Sequence, residues 1–101
     1  DAASIDGWKA RAAQALDAIE NLLARDKFAA GANFTLADCY LIPALSFATR
    51  FLPRHGVAEP LAARPKLARY WRTMGRDHRV APVLAQVDAF FAERLKGTRA
   101  A

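Results

Sequence analysis

The chain has 101 residues, of which 53% are hydrophobic and 25% charged. This length suits one domain with a modest core, and the composition excludes collagen-like, disordered and low-complexity classes. No apolar run approaches the roughly 20 residues of a membrane-spanning helix, so we expect no membrane partner. Cys39 is the single cysteine, which rules out an internal disulfide and favours a reducing, cytoplasmic location.

Positive charge is concentrated in the middle of the chain. The net charge is +5, yet residues 1–49 carry 4 basic and 6 acidic side chains, whereas residues 50–79 carry 8 basic and 2 acidic ones. Such a segment attracts phosphates or acidic partners, and a solvated, arginine-rich face is the simpler interpretation. Arg69, Arg72 and Arg76 fall on one side of a predicted helix.

The first half of the chain predicts two helices. Residues 4–25 place apolar side chains at three- and four-residue spacing, which indicates a helix. Gly31 is the expected tight point of the following loop, because glycine alone adopts positive φ freely. A second helix is predicted from Thr35. It contains Pro43 and is apolar on nearly all sides, which is typical of a buried central helix.

The second half predicts two more helices. The third begins near Pro65, since proline suits a first helical turn. The fourth holds Pro82 in its first turn and is predicted to end before Gly97. No stretch alternates apolar and polar residues over a convincing length. The predicted fold class is therefore all-α, a bundle of about four helices with a buried central helix.

The strongest local signal is a capping box at the start of the second helix. Thr35 supplies a hydroxyl at the cap position, and Asp38 supplies a carboxylate three residues later. The hydroxyl can accept from the Asp38 amide while the carboxylate accepts from the Thr35 amide. This structural role explains Asp38 without any catalysis.

Few side chains are candidates for metal binding or catalysis. His55 and His78 have no Cys or His at ligand spacing, so we expect no metal site. Cys39 lies in the first turn of the second helix, where the helix dipole favours a thiolate, but its apolar neighbours predict a packed, inert thiol. No glycine-rich phosphate loop, nucleophile elbow or pair of carboxylates is present, and we expect no catalytic residue.

Residues 31–45, GANFTLADCYLIPAL, resemble the signature of cytosolic glutathione S-transferases. In that family a glycine, an aromatic or aliphatic residue, Ser or Thr, two apolar positions and Asp lead into a central helix with a proline. The resemblance extends over about residues 4–91, although Arg79 stands where a proline is usual. It implies that residues 1–101 form a single domain like the all-helical C-terminal domain of that family, as a fragment without that domain's first helix.

The resemblance implies a function for a longer protein. The family's thioredoxin-like domain, which holds the co-substrate glutathione, is missing here, so we expect neither a cofactor nor transferase activity in this chain. The implied role is to shape the acceptor pocket for a small hydrophobic electrophile, in a parent protein that can be a homodimer. Because the family often places an aromatic two to three turns after the Asp, Phe47 and Phe51 are the substrate-binding candidates, with core packing as the other interpretation.

The alternative function is a non-catalytic module of the same fold, which binds proteins or associates with tRNA. Nucleic-acid binders of this size usually place aromatic side chains on the basic face. Here Tyr70 and Trp71 lie on the apolar face of the third helix instead. We therefore do not expect nucleic acid to be a partner.

Overall fold

The computed structural model describes residues 2–24 and 27–100, with side chains described for residues 3–24 and 27–94. Its four α-helices are α1 (Ala2–Leu22), α2 (Leu36–Phe51), α3 (Pro65–Arg76) and α4 (Ala81–Ala100), and a short 3₁₀ helix, Leu52–His55, follows α2. Within the described ranges there is no strand, only one isolated bridge between Phe28 and Gly31. The predicted all-α fold and the order of its helices are confirmed.

The loop between α1 and α2 turns back on itself at Gly31. Phe28 and Gly31 exchange backbone hydrogen bonds of 3.0 and 3.3 Å, and Gly31 has a φ of 146°, which a residue with a Cβ rarely adopts. The tight point predicted at this glycine is confirmed. Phe28 is buried, so the turn is anchored to the core.

Helix α3 packs against all three other helices. Leu67, Tyr70 and Met74 repeat at three- and four-residue spacing and are all almost completely buried. At its start, two backbone amides without intrahelical partners donate to the Glu20 carboxylate of α1, at 3.0 Å from Lys66 and 2.8 Å from Leu67. A side chain from another helix therefore caps α3.

Helix α2 packs on α3 and lies between α1 and α4. Its inner face buries Asp38, Leu41, Ile42, Leu45 and Ser46. Pro43 lies within the helix, which continues through it to Phe51 although the proline removes one backbone donor. The opposite face is exposed in this chain, so α2 is central in position but is covered on one side only.

The end of α4 differs from the prediction. The helix continues through Gly97 to Ala100, whereas the sequence predicts an end before the glycine. A glycine ends a helix when the chain turns into the left-handed conformation, but within a helix it costs only about 1 kcal/mol relative to alanine. Gly97 keeps the helical conformation, and the prediction of a stop was wrong.

Candidate functional site

The two predicted substrate-binding residues lie next to each other on the last turns of α2. Their ring centroids are 4.5 Å apart; Phe47 is half exposed, and Phe51 is partly buried. Phe51 meets Phe91 of α4 edge-on at 5.6 Å, and Phe47 meets Trp8 of α1 edge-on at 6.2 Å. The aromatic contacts therefore link three helices at one end of the bundle.

Phe47 separates two apolar grooves. The groove between α2 and α4 has a volume of about 240 Å³, and the groove between α1 and α2 has about 270 Å³. The first is lined mainly by Ile42, Pro43, Phe47, Val83, Val87 and Phe91. Phe51 lines neither groove, so of the two candidates only Phe47 is positioned to touch a ligand in them.

A polar pocket of about 360 Å³ adjoins the α2–α4 groove and shares Ser46 and Leu84 with it. Arg50 pairs with Asp88 of α4, donates to the Ser46 hydroxyl at 3.2 Å and stacks over Phe91 at 4.8 Å. This contact between α2 and α4 fixes the walls of the groove. The charge of Arg50 is neutralised by Asp88 within the chain.

The buried carboxylate of Asp38 joins three parts of the chain. Its oxygens accept from the Thr35 amide at 3.0 Å, the Ala29 amide at 2.9 Å and the Tyr70 hydroxyl at 2.6 Å. Thr35 and Asp38 form the capping box at the start of α2, and the Asp38 amide also donates to the Thr35 carbonyl oxygen at 3.0 Å. Asp38 thus holds the loop, α2 and α3 together, and its carboxylate is completely buried, out of reach of a substrate.

Tyr70 shows the electrostatic consequence of this arrangement. Burial, and then the hydrogen bond to the Asp38 carboxylate, raise the pKa of the Tyr70 hydroxyl above its ordinary value of 10.0. The phenol therefore stays a neutral donor to Asp38. Sequence reasoning placed Tyr70 on the core face but missed this bond, because the two residues are 32 positions apart.

A second buried carboxylate, Asp77, connects α3 to α4. The Arg79 amide donates to it at 2.8 Å, and the Lys27 ammonium lies 3.3 Å away. The Arg79 amide is the main cause that lowers the pKa of Asp77 below its ordinary value, in opposition to burial. Arg79 also stacks over Phe34 at 4.9 Å and so ties the α1–α2 loop to the α3–α4 turn.

Cys39 is exposed, which corrects the predicted packed thiol. It lies in the first turn of α2 at the edge of the buried face, and no neighbouring helix covers it in the described part of the chain, so the apolar composition of the helix did not place it in the core. No group of three or more His, Cys, Asp or Glu side chains comes together as a metal-ligand set in the described part of the chain. None of the helices there is long and apolar enough to cross a membrane.

Comparison with known proteins identifies the family. The model of the family described as "Glutathione S-transferase, C-terminal domain" matches residues 2–72. The chain belongs to this family, and the resemblance noted in its sequence is confirmed. A maize protein, "Glutathione S-transferase 3", is 41% identical over 76 residues, which cover 73% of this chain and 32% of the relative. The chain thus spans about a third of that relative's length. No solved structure gives a significant match.

Proposed function

We propose that this chain is the helical C-terminal part of a glutathione-conjugating enzyme and that it shapes the pocket for the hydrophobic acceptor. The observation that carries the proposal is the apolar α2–α4 groove, with half-exposed Phe47 on its wall, in a chain of this family. A groove with an almost entirely apolar lining suits a small hydrophobic electrophile and offers no group that could activate a thiol.

The remaining parts of the enzyme lie outside this chain in our proposal. Glutathione, the co-substrate, would bind to a thioredoxin-like domain of the parent protein, so residues 1–101 alone have no transferase activity. We further propose a cytoplasmic parent that can form a homodimer. These expectations follow from the family and from the third of the maize relative's length that the chain spans.

The outer face of α2 supports a missing helix as part of this proposal. Leu36 and Tyr40 are 69% and 75% exposed, and they repeat at helical spacing along one stripe. A cavity of about 390 Å³ between α1 and α2 lies beside the stripe, and Leu22 at its rim is 84% exposed. So much exposed apolar surface indicates an interface, which we assign to the absent first helix of the domain.

The test uses the full-length parent protein and a matched pair of variants. Phe47→Ala removes an aromatic wall of the groove, whereas Phe90→Ala removes a ring of similar exposure on α4 that does not line it. Steady-state kinetics with an aryl halide should give about a tenfold lower kcat/KM for the electrophile with Phe47→Ala, because hydrophobic pocket contacts are worth about 1–3 kcal/mol. The KM for glutathione should not change in either variant.

Equal effects of the two substitutions, or an effect of Phe47→Ala on glutathione alone, would contradict the pocket role. The 101-residue chain serves as a second check. It should neither bind glutathione in calorimetry nor conjugate it to the aryl halide.

A further inference from the structure

The outer face of α3 carries a stripe of three arginines, Arg69, Arg72 and Arg76. All three are exposed, and their spacing confines them to an arc of about 60° along roughly 10 Å of helix. The buried residues Leu67 and Met74 lie on the opposite side of the helix. The stripe therefore points directly away from the core.

None of these arginines is neutralised within the part of the chain that the structure describes. Their side chains make no ion pair or hydrogen bond there, and α3 contains no acidic residue. Other arginines behave differently. Arg50 pairs with Asp88, and Arg64 donates to Asp17 at 2.9 Å. The stripe thus places three uncompensated charges side by side on one helix face.

The stripe is unfavourable for the helix that carries it. Arg72 lies three residues after Arg69 and four before Arg76, and like charges at these spacings destabilise a helix by about 0.2–0.5 kcal/mol per pair. Only Arg76, in the last turn, gains from the helix dipole. Within the described residues the guanidinium groups make no ion pair or hydrogen bond, so they are available to a binding partner.

We propose that the outer face of α3 docks an acidic helix of a protein partner. Carboxylates at three- and four-residue spacing on such a helix repeat at the same interval as the guanidinium groups, and each pair can form two parallel hydrogen bonds. The contact goes beyond the proposed acceptor pocket, since α2 separates the stripe from the exposed face of Phe47.

Two other occupants match the stripe less well. A single-stranded nucleic acid would need aromatic side chains for base stacking, but Tyr70 is buried and Trp71 is partly covered. A second copy of this chain would need an acidic stripe. Within the described residues, Asp17, Glu20, Asp38, Asp77 and Asp88 are all engaged by internal contacts, and the other acidic side chains, Asp6, Glu59 and Glu93, lie on separate elements.

The experiment titrates the isotope-labelled 101-residue chain with an alanine-rich helical peptide that carries three glutamates at this spacing, monitored by NMR. A matched peptide has glutamines instead. Arg69→Gln with Arg76→Gln is compared with Arg11→Gln with Arg54→Gln, which removes the same charge from exposed sites away from the stripe. The salt concentration is kept low, about 0.01 M, because salt screens exposed charge pairs.

The glutamate peptide should bind about tenfold more tightly than the glutamine peptide, with shift changes on the outer face of α3. The stripe variant should lose about tenfold in affinity and the control variant less than about twofold, and the stripe variant should unfold at an equal or higher temperature. Equal losses in both variants, shift changes elsewhere, or tighter binding of an oligonucleotide of equal charge would overturn the proposal. No outcome depends on glutathione or on Phe47, so the pocket proposal is tested separately.

Discussion

The inner and outer faces of α2 differ in how far their side chains are buried. On the inner face, Leu45 is 1% exposed and the Asp38 carboxylate has three donors. On the outer face, Leu36 and Tyr40 are 69% and 75% exposed. One helix therefore has one face buried in the core and one apolar face exposed to solvent.

The difference shows which part of the fold this chain completes by itself. The hydrogen bonds of Asp38 join residues 29–70, and α3 is capped by Glu20 and packs on the other three helices, so both sets of contacts are made within this chain. The outer stripe gains stability only when another segment covers it, since exposed apolar area contributes no hydrophobic free energy. The stability of this chain thus depends on the inner face of α2, and substitutions on the outer face can test whether another segment covers it.

The largest effect should come from Asp38→Ala. It leaves the part-buried Ala29 and Thr35 amides and the buried Tyr70 hydroxyl without their acceptor, and each lost hydrogen bond costs about 1 kcal/mol. We expect the free energy of unfolding, measured with urea, to fall by about 3 kcal/mol. Thr35→Ala is the control, because it removes only the cap hydroxyl, at about 1 kcal/mol. Similar losses in the two variants would reduce Asp38 to a simple helix cap.

A smaller loss, about 1.5–3 kcal/mol, is expected for Tyr70→Phe, which removes one hydrogen bond to a charged acceptor. The pH dependence provides a second measurement. Since the pKa of Tyr70 is raised in the folded state, this contribution is complete below pH 10 and declines as the pH rises above it. In Tyr40→Phe, which leaves Tyr70 as the single tyrosine, phenolate absorbance should appear together with unfolding. Ionisation of the folded protein near pH 10 would contradict the buried bond.

The smallest effect should come from the outer face. Leu36→Gln and Tyr40→Gln, made together in the 101-residue chain, should change the free energy of unfolding by less than about 0.5 kcal/mol, because these side chains have little to lose. In the full-length parent, the same pair should cost about 2 kcal/mol or more if the missing helix covers the stripe. An equally small effect in both proteins would show that no segment covers the outer face of α2. It would contradict the proposal that the missing helix packs there.

Local patterns predicted the elements well. Thr35 and Pro65 were placed at helix starts because caps and first-turn prolines depend on a few adjacent residues. Gly31 was recognised for the same reason. Gly97 was misread, because a glycine is compatible with both the interior and the end of a helix and its neighbours do not distinguish the two.

Patterns also identified Phe47 and Phe51 together, but only the packing of α4 against α2 separates the ring in the groove from the ring behind it. Cys39 was misplaced because an apolar sequence does not specify which side of a helix another helix will cover. The Glu20 cap of α3 was missed for a related reason, since its donors lie 46 and 47 residues away.

The sequence by itself determined the helices, their order and the family, because these follow from spacing and short-range hydrogen bonds. Tertiary structure alone decided how much of α2 is covered, which carboxylates are buried and satisfied, and that the arginines of α3 remain free. Burial and charge pairing depend on residues that are distant in the chain, so only the packed helices could settle them.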